Sequence, residues 1–520
     1  MKKIAALLVV LALAGIGFAQ EADNTASLED ELFGGDTEAA VLTPEEANAE
    51  SKKEGMSLHG DLKNVSLSLE SKAVRIGGNL TSELTLGYLW TDPYSKKSDV
   101  KNAFLNPAVA QLRPIIGANL FFDARPVQDL KLYGKFMFEF PFEKSLNGMM
   151  HISKDDLERF KGSAAQSLQE QFKGNNAALK RLNEALAGIS LPQNGISMPI
   201  SVNGSPNMKI WELYTDFSAK DIAFFRFGKH TVKWGTGYFY SPADVINLSR
   251  IDPEKPTADR EGPVSLRTHI VIPRTQYNIW LYLLPDTESF KPQYTAGAAK
   301  AELVFGDWEW GIGGWYRYEK APRLISTLSG SIAGKVAVFA EGVFAWGSDV
   351  TYYKDDAALT AYTVKNKPFF QATLGGSYTH ADSHTMLAMQ YYYNGFGYTD
   401  TKAADRITNA AAAAINSRNY SDPALGKYGD ITAMGNKGQH YIAFTISQNK
   451  IGTEDLTASL FQQFSITEKE GMTTLSLNWN IFKFVQMRTG PTFSYPLSSS
   501  AATKGSIGYN LSFKLGGGKF

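Results

Sequence analysis

Three groups of residues in this 520-residue chain have types and spacings that suit chemistry. The first is His380-Ala381-Asp382-Ser383-His384, where two imidazoles and a carboxylate lie close enough to suggest a metal ion. It falls in a short turn without a third nearby ligand, so no metal and no other cofactor are expected. The second is a supply of serines and histidines that could form a nucleophile–base pair. No G-x-S-x-G elbow and no G-x-x-x-x-G-K-[ST] phosphate loop occurs, so no enzyme is expected. The chain has no cysteine, which excludes a disulfide scaffold, a thiolate metal site and a cysteine nucleophile.

The third group is a set of charged and polar residues at even spacing. Arg113, Asn119, Asp123 and Arg125 alternate with apolar neighbours, as do Lys131, Lys135 and Glu139. Glu212, Asp216 and Arg226 flank a short turn over Ala219–Asp221, and Arg267 and His269 follow on the next such segment. A hairpin at that turn would pair Tyr214 with Arg226 and set Glu212 and Asp216 diagonally beside it. Side chains two residues apart share one face of a strand. Their chemistry is that of a wetted wall along which solutes pass. Basic residues slightly outnumber acidic ones, which fits a weak anion preference, unless the charges neutralise one another in pairs. His230 and Asp244 complete the expected lining set of Arg113, Arg125, Lys131, Lys135, Glu212, Asp216, Arg226, His230, Asp244 and Arg267.

The elements that must position these residues are strands. Leu80, Ser82, Leu84, Leu86, Tyr88 and Trp90 form one face, and Ile507, Tyr509, Leu511, Phe513 and Leu515 another. About eighteen such segments run from residue 75 onward, and sixteen remain possible because 318–335 is the least regular stretch. Most have the roughly 9–11 residues that a tilted strand needs to cross a bilayer. Long connections (91–112, 142–207, 235–263, 347–367, 395–437) alternate with short ones such as Pro126–Gln128 and Phe482–Lys483. That is the parity of a transmembrane barrel with long outer loops and short inner turns. Aromatic clusters at Tyr88 and Trp90, Trp234–Tyr240, Trp308 and Trp310, and Tyr391–Tyr393 fit an interfacial girdle. Helical spacing appears twice, over about 153–187 within the insert 143–207, and over about Lys402–Arg418. The first would lie over or inside the pore mouth, where it could gate.

The N-terminus supplies the route. Lys2 and Lys3, the apolar run Ile4–Ala14 and Gly17-Phe18-Ala19 have the form of a secretory signal over 1–19, cleaved before Gln20. Residues 20–56 carry eleven acidic residues against two lysines, which suits a flexible periplasmic extension. The body is then 57–520. Arginine plus lysine equals aspartate plus glutamate at 52 each, which argues against a nucleic-acid binder.

The most distinctive stretch is Arg226–Asn247, RFGKHTVKWGTGYFYSPADVIN, which continues to Arg260-Glu261-Gly262-Pro263. It resembles porin-like bacterial outer-membrane barrels, including the alginate-export-like and related large-barrel families. In these a Gly-Lys/Arg-Gln-type strand runs into Trp-Gly and then a Ser-Pro-x-Asp-x-x-Asn loop. His230 stands where such strands often carry an amide. The resemblance implies that this loop folds inward and narrows the channel. The final strand and Phe520 also resemble the C-terminal signal read by the barrel-assembly machinery.

The expectation is therefore an all-β protein, an antiparallel transmembrane β-barrel of about 18 strands with a helical insert in a long outer loop. It would sit in the outer membrane of a Gram-negative cell and pass small hydrophilic solutes. Its partners would be outer-membrane lipid and the assembly machinery, not nucleic acid. Two other readings stand beside this one: a barrel transporter of a hydrophobic or polymeric substrate, and a structural or adhesin barrel with a blocked lumen. The solute and the oligomeric state are not legible in the sequence.

Overall fold

A computed structural model of the chain describes residues 74–91, 93–94, 110–127, 129–140, 148–152, 196–200, 207–219, 222–380, 382–417, 419, 422–497 and 505–519. The expected signal, the acidic extension, the helix over 153–187 and Phe520 lie outside the described residues.

Eighteen strands form one antiparallel sheet. They are β1 Val74–Thr91, β2 Ala110–Val127, β3 Leu130–Phe140, β4 Asn207–Ala219, β5 Ala223–Lys229 and β6 Val264–Val271. Then come β7 Asn278–Leu284, β8 Ala296–Phe305, β9 Trp308–Tyr316, β10 Arg323–Ile332, β11 Val336–Trp346 and β12 Pro368–His380. The last six are β13 Thr385–Asn394, β14 His440–Gln448, β15 Leu456–Ser465, β16 Glu470–Phe482, β17 Val485–Pro496 and β18 Ser506–Lys519. Each strand pairs with its chain neighbours, and β1 pairs with β18, with Leu84 opposite Phe513 and Leu86 opposite Leu511. The sheet is a closed barrel. The irregular stretch 318–335 holds β10, so the count is eighteen and not sixteen.

Closure explains the period of two. Leu80, Leu112, Leu132, Leu283, Leu324 and Leu374 are exposed on the outer wall, while the residues between them point into the barrel. In water this apolar wall would be unfavourable by about 25 cal/mol per Å². Hydrocarbon removes that penalty, and closure leaves no unpaired strand edge to expose to it.

The interior is filled unevenly. Between β5 and β6 the chain leaves the wall as an inner segment, residues 230–263. Its Val232, Trp234, Ala243 and Ile246 pack on Tyr282, Ala298, Ile325 and Val343 of the inner wall. Its Phe239 and Tyr240 pack on Met386, Tyr392, Tyr441 and Phe461. Trp234–Tyr240 therefore belong to a buried core inside the barrel and not to an interfacial girdle. The aromatic run misled because its apolarity matches either environment. Trp310 and Tyr391 do face outward and are exposed.

Two helices sit in the connection between β13 and β14. The Ala-rich run forms α1, Lys402–Asn416, and a second helix α2 spans Pro423–Met434. The sequence carried a start signal for α2: Asp422 accepts a hydrogen bond from Ala424 N, and Pro423 occupies the first turn. The hairpin Gly148–Ile152/Ile196–Ile200, from the long β3–β4 connection, runs beside α2.

Candidate functional site

The inner segment begins at a glycine. Gly228 has φ +132°, and a Cβ there would lie 2.2 Å from Leu213 O. Only glycine lets β5 bend off the wall so close to β4. The returning arm is equally tight, since a Cβ on Gly262 would fall 1.7 Å from His230 O. The segment thus starts and ends in a pinch, and β5 is only seven residues long.

Within the pinch the segment is tied to itself. Thr231 Oγ1 donates to Arg260 O at 2.6 Å, and Val232 N donates to Asn247 Oδ1 at 2.9 Å. Asn247 Nδ2 donates to Asp244, whose buried carboxylate also pairs with Arg260. Asp244 is therefore a brace inside the segment and not a lining residue. A Ser-Pro-x-Asp-x-x-Asn pattern works this way because short polar side chains satisfy nearby backbone groups.

Three inward residues of the wall hold the segment from outside. Glu341 on β11 accepts from the backbone N–H of Thr236 (2.5 Å), Gly237 (2.7 Å) and Ala243 (2.9 Å), and from Ser241 Oγ (2.9 Å). Gln390 on β13 is fully buried; its Oε1 accepts from Phe239 N (2.6 Å) and Tyr240 N (3.1 Å), and its Nε2 donates to Tyr240 O (2.6 Å). Lys300 on β8 donates to Trp234 O (3.1 Å) and pairs with Glu302 (2.8 Å). The sequence reading missed all three. Their signal was a polar residue isolated in an apolar run, as in Val-Phe-Ala-Glu341-Gly-Val-Phe. A buried group of that kind has to find partners.

Past Tyr240 the segment spans the bore. Arg250 donates to the last carbonyls of α2, Ala433 O and Met434 O. Glu254 accepts from Thr474 on β16 (3.3 Å), and Asp259 pairs with Lys135 on β3 (2.9 Å). The remaining space is bounded by β16–β18 and β1–β3. There Arg75, Arg113, Arg488, Asn510 and Lys514 occupy inward positions and are exposed. Across from them, the segment's own exposed edge carries Asp252, Lys255 and Asp259.

The other expected lining residues sort by register. Arg113, Arg125, Lys131, Lys135, Glu212, Asp216, Arg226 and Arg267 all take inward positions. Lys131 and Arg125 both pair with Asp123 at 3.4 Å. Glu212 accepts from Thr231 N at 3.5 Å. Arg226 lies opposite Asp216, not Tyr214, because β4 runs to Ala219 and the turn closes on Ala223. It binds that carboxylate through Nε (2.6 Å) and Nη2 (3.0 Å), with its guanidinium 4.0 Å from the Tyr214 ring. Pairwise neutralisation thus dominates this part of the wall. His380 serves its turn, its Nδ1 accepting from Ser383 N at 3.1 Å.

His230 does not line the bore. It is 0 % exposed beneath the pinch, with Nδ1 3.1 Å from Gly228 O. Burial, reinforced by Arg226 and Arg267, lowers its pKa to about 3. A free histidine near 6.5 takes up a proton that the attached one refuses. Attachment of the segment is therefore fully present above about pH 6.5 and weakens as pH falls from there toward 3. Open-channel current noise should rise between pH 6.5 and 4, and His230→Gln should lose that part of the rise. An unchanged pH profile in the variant would assign the effect to other groups.

Neither a family model nor a curated protein matches the sequence. Among solved structures, the chain is similar to OccK8 (OprE) of Pseudomonas aeruginosa, with 9% identity over 85% of this chain and 98% of that one, at a TM-score of 0.42. It is similar to OccAB1 of Acinetobacter baumannii, with 10% identity over 86% and 97% of the two chains and a TM-score of 0.43. It is also similar to the outer membrane protein OprD of Pseudomonas aeruginosa, with 7% identity over 86% and 94% and a TM-score of 0.41.

Proposed function

We propose that this chain is a bacterial outer-membrane channel that passes small hydrophilic solutes by passive diffusion. Outer-membrane lipid would surround it, and the barrel-assembly machinery would insert it. The observation that carries the reading is the inner segment, pinned to one side of a closed barrel and leaving a charged, solvated arc on the other. A structural barrel has no need of such an arc, and a carrier of hydrophobic substrates would need an apolar one. Solutes would pass between the segment's mixed charged edge at Asp252, Lys255 and Asp259 and the basic wall at Arg75, Arg113, Arg488 and Lys514. Such a wetted, charged arc sets no fixed binding site. Passage should then depend on size first and charge second.

Liposome swelling tests this directly. Vesicles containing the purified protein should swell in isotonic monosaccharides and amino acids, with rates falling steeply as the solute grows to a trisaccharide. Swelling no faster than in protein-free vesicles would overturn the proposal.

A further inference from the structure

The outer wall has a local defect. Two rows of outward residues cross β6–β10 near their outer ends. One row runs Leu266, Leu283, Gly297, Tyr316, and the next runs Thr268, Leu281, Ala299, Gly314, Leu324. At the centre of both rows the side chains vanish: Gly297, Ala299 and Gly314 make a floor. Leu281 and Leu283 rise on one side, Tyr316 and Leu324 on the other, and all four are exposed. The result is an apolar groove of about 720 Å³.

The barrel does not need this gap. Gly297 has no unusual backbone angle, and a Cβ there would meet nothing within 4 Å. Neither conformation nor packing inside the chain calls for glycine at that position. The space is left for something outside.

We propose that the groove binds one acyl chain of a membrane lipid. The inference rests on the reading of this wall as lipid-facing. The groove is continuous with the exposed apolar belt, so hydrocarbon is what it opens onto. Its floor spans two strands about 4.8 Å apart, wide enough for a single hydrocarbon chain. A second copy of this barrel would need about 800 Å² per partner for a stable interface, and three small residues sunk between ridges cannot supply it. The mouth suits a headgroup's depth. Phe290 and Lys291 on the loop after β7, and Tyr318 and Lys320 on the loop after β9, are exposed at the ends of the strands that form the groove. Amphipathic rings and long amines prefer that boundary.

The test counts lipid carried through purification in an alkyl maltoside, by extraction and by native mass spectrometry of the intact protein. Wild type should retain about one lipid more per barrel than Gly297→Leu/Ala299→Leu, in which two side chains fill the floor. Ala118→Leu, on the outer wall of β2, should retain lipid like wild type. If the double variant does not fold, Gly297→Leu alone carries the comparison. Equal retention in wild type and the filled variant, or equal loss in Ala118→Leu, would overturn the proposal. Conductance is read on the same samples. A wild type that retains the lipid but carries no current would fail as a channel and leave the groove standing.

Discussion

Glu341→Ala should raise single-channel conductance at least about two-fold, since current through a pore follows its narrowest section. Glu341 is one side chain holding four donors of the inner segment, at Thr236, Gly237, Ser241 and Ala243. Truncation leaves those donors buried without an acceptor, at about 1–3 kcal/mol each if the segment stays. The segment relieves this by leaving the wall, and water then satisfies the freed groups. The barrel itself should survive, because its strand ladders do not pass through Glu341's side chain. Circular dichroism should show unchanged strand content while recordings show a larger and noisier current. Glu341→Gln should be intermediate: its amide oxygen still accepts, while its NH2 faces donors. Wild-type conductance in Glu341→Ala would mean that the segment does not set the aperture.

Asp216→Asn should shift ion selectivity toward anions. Arg226 and Arg267 are directly opposed across β5 and β6, and Asp216 neutralises the first through two hydrogen bonds. Removing that charge leaves two guanidinium groups side by side on the inner wall. One unit charge at 4 Å in water is worth about 1 kcal/mol, so the chloride-over-potassium permeability ratio should rise by up to about five-fold, the limit for ions passing that close to the pair. Reversal potential in a salt gradient reads this ratio. Added salt should shrink the effect, because the Debye length falls to about 3 Å at 1 M. A shift toward cations, or none at low salt, would place the pair outside the conducting path.

The barrel was largely legible in the sequence, and for a physical reason. A wall with oil on one side and water on the other writes its period of two into every strand, so each of the eighteen segments predicted from alternation has a counterpart. The inward direction of Arg113, Lys131 and Arg226 followed from the same parity. The interior was less legible. Trp234 and Phe239 read as interfacial rings because apolarity does not say which side of the wall will cover them. His230 and Asp244 read as lining residues because a polar residue gives no sign whether water or the protein satisfies it. The partner of Arg226 was misplaced by two residues, since register depends on which residue closes the turn at Ala223. For Lys300, Glu341 and Gln390 the isolated polar residue in an apolar run marks a buried group but not its partner, because the backbone groups they hold in the inner segment lie from 66 to 151 residues away.

The coupling between Arg250 and the last carbonyls of α2 joins the constricting segment to the outer loops. Positional freedom in that helix would therefore reach the aperture through one guanidinium. The aperture itself depends on the more basic proposition that the barrel's interior conducts.

Single-channel recording in a planar bilayer decides that proposition. The purified protein at neutral pH should insert in discrete, ohmic steps that persist for seconds. A bilayer that stays silent after insertion of folded, heat-modifiable protein would contradict it.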